Sequence, residues 1–226
     1  VTPMGLLEQH GSDAVRYWAA SARLGTDAAF DEQQMKIGRR LAMKILNASK
    51  FALGMAGGDA AVDLDPSAVT EPLDHAMLAM LSGVIERATK AFESYDHTRA
   101  LELAETCFWT FCDDYLELVK DRAYDRDAEF SAAGGEGQVR SARVTLNLAV
   151  DAFLRLFAPV LPYAAEEVWS WYRTDSVHNA PWPTAHEFGG ADSGDAKLVD
   201  IAGAALAALR KVKSEHKVSQ RTAYQT

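Results

Sequence analysis

The sequence predicts an all-α fold, a helical bundle, on three observations. Apolar residues in its long segments recur every three or four positions, the spacing of one helix face. Breaks rich in Gly, Pro and Ser separate those segments. No stretch alternates as a strand would, and no internal repeat is visible.

The widest apolar face lies in Arg99–Arg122, RALELAETCFWTFCDDYLELVKDR. Leu101, Ala104, Phe108, Phe111, Tyr115 and Leu118 form one stripe, and Trp109, Cys112, Leu116 and Val119 form a second beside it. Glu102, Thr106, Thr110, Asp113, Asp114, Glu117 and Asp121 are left for water. A helix so broadly apolar needs neighbours on several sides, so it is expected at the bundle centre.

From the start of the chain, Thr2 as N-cap and Pro3 open a short helix that Gly11 ends. Ser12 is expected to cap Asp13–Leu24, closed by Gly25. Asp31, Gln34 and the flanking Phe30 and Met35 predict a capping box and hydrophobic staple. The helix they open runs to Gly54, with Ile37, Leu41, Ile45, Ala48 and Ala52 inward. Gly54–Glu71 reads as a loop, and Pro72–Tyr95 as a helix with Leu73, Met77, Val84, Ala88, Ala91 and Tyr95 inward. Asp125–Gly137 is a loop before an amphipathic helix over Val139–Phe157, which Pro159 stops. Pro162 starts a helix through Tyr172, Thr174–Asp195 is irregular, and Asp195–Val218 is a last helix before a frayed Ser219–Thr226.

A chain of 226 residues, 48% of them hydrophobic, is long and apolar enough to bury a real core. No apolar run reaches the roughly 20 residues of a membrane helix, and no signal peptide is seen. The two cysteines, Cys107 and Cys112, lie on one helix pointing apart, which fits buried thiols of a reducing compartment. The chain begins at Val1 inside running sequence, as a piece of a longer protein would.

A net charge of −9 argues against nonspecific nucleic-acid binding by the whole surface. Basic residues are nevertheless concentrated in two helices, at Lys36, Arg39, Arg40, Lys44 and Lys50, and at Arg210, Lys211, Lys213, Lys217 and Arg221. In the first, Lys36, Arg40, Lys44, Asn47, Lys50 and Phe51 lie three or four apart, opposite the apolar stripe. Cations there can hold phosphates, while an amide and an aromatic can read and stack an unpaired base. A solvated face ending in a core Phe has the same spacing.

Metal and catalytic chemistry find no comparable pattern. The histidines are scattered, and the Glu93–His97 and Glu71–His75 pairs do not repeat a di-iron bundle motif. Asp113, Asp114 and Glu117 fit a solvated face as well as an acid–base pair. There is no phosphate-cradling Gly loop, no Gly-x-Ser-x-Gly and no zinc spacing. Trp109, Trp169, Trp171 and Trp182 fit core or lid positions. No catalytic or metal-binding residue is assigned.

Several segments together resemble the class I aminoacyl-tRNA synthetases. Val1–Phe30 is similar to the stretch after their K-M-S-K-S loop, with Gly11–Arg16 (GSDAVR) and Gly25-Thr26-Asp27 nearest to the valine-specific branch. RRLAMKILNASKF (Arg39–Phe51) resembles the first long helix of the anticodon-binding bundle. FCDDYLELVK, APVLPYAAEEVW, SVHNAPWP and KVSQRT match later landmarks, so the resemblance spans the chain. It implies a stem-contacting link over residues 1–30, an anticodon-binding bundle over 31–194, and a helix over 195–226 leading to a further carboxy-terminal region. The implied partners are tRNA(Val) and the catalytic and editing domains of the same chain, in a cytoplasmic monomer without membrane contact. ATP with Mg would serve the parent enzyme, and this piece would carry neither cofactor nor activity. By the same resemblance Phe51 stacks under an anticodon base, with Asn47 and Lys44 before it and Lys36, Arg39, Arg40 and Lys50 completing the tRNA-binding set. Met43, Lys50 and Ala42 depart from the family's common Asn, Arg and aromatic. The equivalent domain of an isoleucine or leucine enzyme, or a helical protein-binding scaffold, are the rival readings.

Overall fold

The computed structural model describes residues 3–27, 29–56, 61–125 and 128–219. Among them the fold is all-α, with no strand. The helices are α1 (Pro3–His10), α2 (Ser12–Ser21), α3 (Glu32–Leu53), α4 (Pro72–Glu93), α5 (His97–Thr110), α6 (Leu116–Tyr124), α7 (Glu129–Ala132), α8 (Glu136–Phe157), α9 (Pro162–Trp169) and α10 (Lys197–Glu215). A π turn, Phe111–Tyr115, joins α5 to α6 without a break. Short 3₁₀ turns occupy Val177–Asn179, Ala185–Phe188 and Ala191–Ser193, the stretch expected to be irregular.

Local signals explain most of the boundaries. Asp31 accepts from Gln33 N at the start of α3, and Asp96 accepts from Arg99 N at the start of α5. Pro72 and Pro162 stand in the first turns of α4 and α9. Seven expectations need correction. Ser12 is the first residue of α2 rather than its cap, and Gly11 stands at the N-cap without a side-chain bond. The Asp31 carboxylate takes Gln33 N rather than the Gln34 N of a capping box. The stretch Asp125–Gly137, expected as a loop, holds α7 and the start of α8, because the Asp125 carboxylate takes Phe130 N and Ser131 N. Helix α2 ends at Ser21, not Leu24, because the Thr98 hydroxyl bridges to the carbonyls of Ala20 and Ala22. Phe30 packs edge-on against Trp18, at 6.1 Å, and stays more than half exposed. Tyr95 is 82% exposed, since the chain turns there with a left-handed φ of 59° to let Asp96 cap α5. Helix α9 stops at Trp169 rather than Tyr172, where the Tyr172 hydroxyl is drawn to Asp151. Thr2 and residues 220–226 lie outside the described residues.

The expected bundle centre is shared by two helices. Every residue from Val144 to Ala158 in and after α8 is buried, so α8 is the innermost helix. Its polar residues hid this in the sequence, and each has a partner. Arg155 binds both oxygens of Glu187 and pairs with Asp151, Asp151 also takes Arg173, and Asn147 donates to Asp63 O. Along α5–α6, Phe108 meets Phe153 and Phe157 edge-on at 5.2 and 5.4 Å, and Phe111 meets Phe153 at 5.4 Å.

Beside this aromatic seam a fully buried carboxylate, Asp74, ties three helices. It accepts from Tyr115 Oη at 2.8 Å, from Arg122 Nη2 and Nη1 at 2.7 and 2.9 Å, and from Ser141 Oγ at 2.6 Å. Four donors on one buried carboxylate offset its desolvation.

Phe108→Ala should destabilise the chain by about 3–5 kcal/mol in urea melts, the range for a buried Phe. Asp74→Ala should lose a similar amount, about 3–5 kcal/mol, by taking the carboxylate from the partly buried Arg122 and leaving the buried Tyr115 and Ser141 hydroxyls without their acceptor. Burial pushes both the Cys107 and Cys112 thiols up to about 12. Their raised folded values favour the neutral thiol. Stability should therefore be full below the unfolded pKa of about 8.5 and decline as pH rises from there towards 12. Neither thiol should react with iodoacetamide at pH 8 until urea unfolds the chain.

Candidate nucleic-acid interface

Helix α3 packs Met35, Leu41, Ile45, Ala48 and Ala52 inward, which turns the basic face of the sequence outward. It sits unusually close to α2: a Cβ on Gly38 would fall 2.5 Å from Tyr17 Cβ, so only glycine fits there.

The structure gives the seven predicted residues of α3 different surroundings. Lys36, Asn47 and Lys50 are exposed, with Lys36 Nζ 3.5 Å from Glu32 Oε1 one turn earlier. Arg39 is turned back, donating from Nη1 to Gln9 O at 2.6 Å and so tying α3 to α1. Arg40 Cζ and Lys44 Nζ both stand 5.5 Å from the centre of the Trp109 ring, at cation–π range. Lys44 Nζ also meets Asp113 Oδ1 at 2.9 Å. Phe51 is half-buried, with Tyr124 of α6 edge-on at 5.3 Å.

Between α3 and α6 runs a cleft of about 380 Å³, lined by Lys44, Asn47 and Phe51 on one wall and by Glu117, Asp121 and Tyr124 among others on the opposite one. The second wall was missed from sequence. Its residues belong to a helix whose polar positions read only as solvated. Lys120 Nζ and Arg210 Nη2 both bind Glu117 Oε2, at 2.8 and 2.9 Å. The cleft therefore holds a near balance of charge, an amide and two rings rather than a wall of cations. Such lining suits the face and edge of a base better than a phosphate.

The π turn organises that wall. It aims Asp113 at Lys44 and brings Asp114 against α10, where a Cβ on Gly203 would meet Asp114 Cγ at 2.9 Å. Burial, and then the neighbouring Asp113, raise the Asp114 carboxyl above its usual range. Arg210 of α10 adds a hydrogen bond to Asp113 O at 3.2 Å. Part of the second basic cluster thus fastens α10 to the cleft. Lys211 Nζ stands 3.9 Å from Glu215 Oε1 one turn on, and Arg221 lies outside the described residues. No group of three or more His, Cys, Asp or Glu that could hold a metal occurs among the described residues.

If the Phe51–Tyr124 contact holds the cleft open, a Phe51→Leu and Tyr124→Leu cycle should give a coupling of about 0.5–1.5 kcal/mol in urea melts. A coupling near zero would mean the two rings are independent.

Residues 74–226 match the family model described as "Anticodon-binding domain of tRNA ligase". The valine–tRNA ligase of Thermobifida fusca (strain YX) is 57% identical over 222 residues, covering 98% of this chain and 24% of that protein. That of Leifsonia xyli subsp. xyli (strain CTCB07) is 57% identical over 225 residues, covering 98% and 25%. The chain thus spans about a quarter of the length of the curated relatives it matches. In fold it is similar to the Agrobacterium radiobacter K84 LeuRS in its ternary complex with tRNA and LeuAMS, at a TM-score of 0.61 and 17% identity, covering 83% of this chain and 22% of that one. By the match to its model and by these relatives, the chain belongs to the anticodon-binding domain family of tRNA ligases.

Proposed function

We propose that this chain is the anticodon-recognising part of a valine–tRNA ligase, that its partner is tRNA(Val), and that it binds rather than catalyses. The observation that carries the reading is the α3–α6 cleft, where Phe51 offers a stacking plane and Asn47 offers a donor and an acceptor. Exposed Lys36 and Lys50 flank it on α3 and suit phosphates. Arg40 and Lys44, already ordered against Trp109, lose little freedom on meeting RNA. Arg39 serves indirectly, by holding α1 to the recognition helix.

On this reading the parent joins valine to tRNA with ATP and Mg in catalytic and editing domains outside this segment. Residues 1–30 form the link to them, 31–194 the recognising bundle, and 195–226 the lead to a carboxy-terminal region. The parent works as a cytoplasmic monomer. This segment alone performs neither amino-acid activation nor tRNA charging, because on this reading the nucleotide fold and the K-M-S-K-S loop belong to the catalytic domain that precedes it.

Titrating an anticodon hairpin of tRNA(Val) against the chain tests the reading. Lys36→Gln and Lys50→Gln should each flatten the slope of log affinity against log salt by about 0.7–0.9, whatever the anticodon sequence. Asp113→Asn should strengthen binding by releasing Lys44. Phe51→Ala should weaken binding of the valine hairpin by about 1–3 kcal/mol, and weaken an anticodon-altered hairpin by less. Equal losses for both hairpins would leave Phe51 a core residue and end this assignment.

A further inference from the structure

We infer that Asp13 and Arg16 are positioning residues that fix the direction in which α1 and α2 leave the bundle, and so hold a tRNA-bound ligase in register with its anticodon cleft. The inference rests on the function proposed above. The two residues stand three apart on α2 and reach the corner where α8 ends and α9 begins. Arg16 Nη2 donates to Pro159 O at 2.7 Å and its Nε to Val160 O at 3.2 Å. Asp13 Oδ1 accepts from Tyr163 N at 3.2 Å and Oδ2 from Ala164 N at 2.7 Å.

Each charge matches the helix end it meets: the guanidinium takes carbonyls just past α8, and the carboxylate takes the first N–H groups of α9. Leu161 supplies no cap to α9 and Pro162 has no N–H to offer, so Asp13 acts as the N-cap from 150 residues away. Apolar contact, as of Ala14 and Tyr17, is non-directional and allows a helix to slide or roll. Four hydrogen bonds aimed at one corner do not. From the other side, Arg39 of α3 donates to Gln9 O, and Gln9 Nε2 reaches Glu32 at 3.3 Å. Between the two anchors Gly11 turns the chain at a φ of 88°, a left-handed value that favours glycine. Helix α1 is therefore set at once by the recognition helix and by the α8–α9 corner.

The test uses the full-length ligase carrying this segment, with Asp13→Ala and Arg16→Gln, and Asp13→Asn and Arg16→Lys in case either unfolds. Melting temperature, valine-dependent pyrophosphate exchange, affinity for the anticodon hairpin, and kcat and KM for charging full tRNA(Val) are measured. Exchange and hairpin affinity should stay within about twofold, while charging kcat falls about tenfold to a hundredfold with a smaller change in KM, as misplacement of bound partners does. Asp13→Asn, which keeps one acceptor, should recover part of the rate. A kcat unchanged while melting temperature drops, or a hairpin affinity that falls in step with kcat, would reduce the corner to a fold-stabilising contact and overturn the inference. An unsubstituted ligase indifferent to the hairpin would instead overturn the anticodon reading, and this inference with it.

Discussion

The contact of Phe108 and Phe111 with Phe153 and Phe157 is the constraint on which the rest of the molecule depends. It presses α5–α6 onto α8, the innermost helix, and the π turn lets one helix do so without spending its other faces. At that turn the amide of Leu116 reaches back to Phe111 O, five residues earlier rather than four. The extra residue keeps Phe108, Phe111 and Tyr115 on the core side, where Tyr115 goes on to bind Asp74. It also throws Asp113 and Asp114 outward to meet α3 and α10. Core, α3 and α10 therefore meet at a single turn, and the cleft beside it takes its shape from all three.

How much of this could be read in the sequence follows from where each signal resides. Features written within one helix were legible. The Asp31 cap, the Pro162 start and the inward stripe of α3 all appear where the spacing places them. Features that need a partner from far along the chain were not. Helix α8 looked only amphipathic, because Asn147, Asp151 and Arg155 resemble a wet face until their partners at Asp63, Arg173 and Glu187 are in place. The π turn has no sequence mark of its own, and FCDDY reads as ordinary helix.

The same divide runs through the candidate site. Lys36, Asn47 and Lys50 face solvent as their spacing requires, whereas Arg39 is taken by a main-chain carbonyl of α1 and Lys44 by Asp113. Trp109 reads as core from its stripe, yet it lies only half-buried under two cations of α3. Tyr124 and Asp121 were passed over because nothing in the sequence brings α6 opposite α3. The motif GSDAVR is similar: its Asp and Arg look like solvated charges, and only the fold turns them towards the ends of two other helices.

The central claim is that an unpaired base enters the α3–α6 cleft and lies on Phe51. Fluorescence of an anticodon hairpin with 2-aminopurine at the position under test reports this directly, since the probe dims when an aromatic ring stacks on it. Addition of the chain should quench the probe. Phe51→Leu, at concentrations where the hairpin is still fully bound, should abolish that quenching, and Tyr163→Leu, an exposed ring outside the lining of the cleft, should leave it intact. Full quenching by the Phe51→Leu variant would place the base elsewhere and contradict the account.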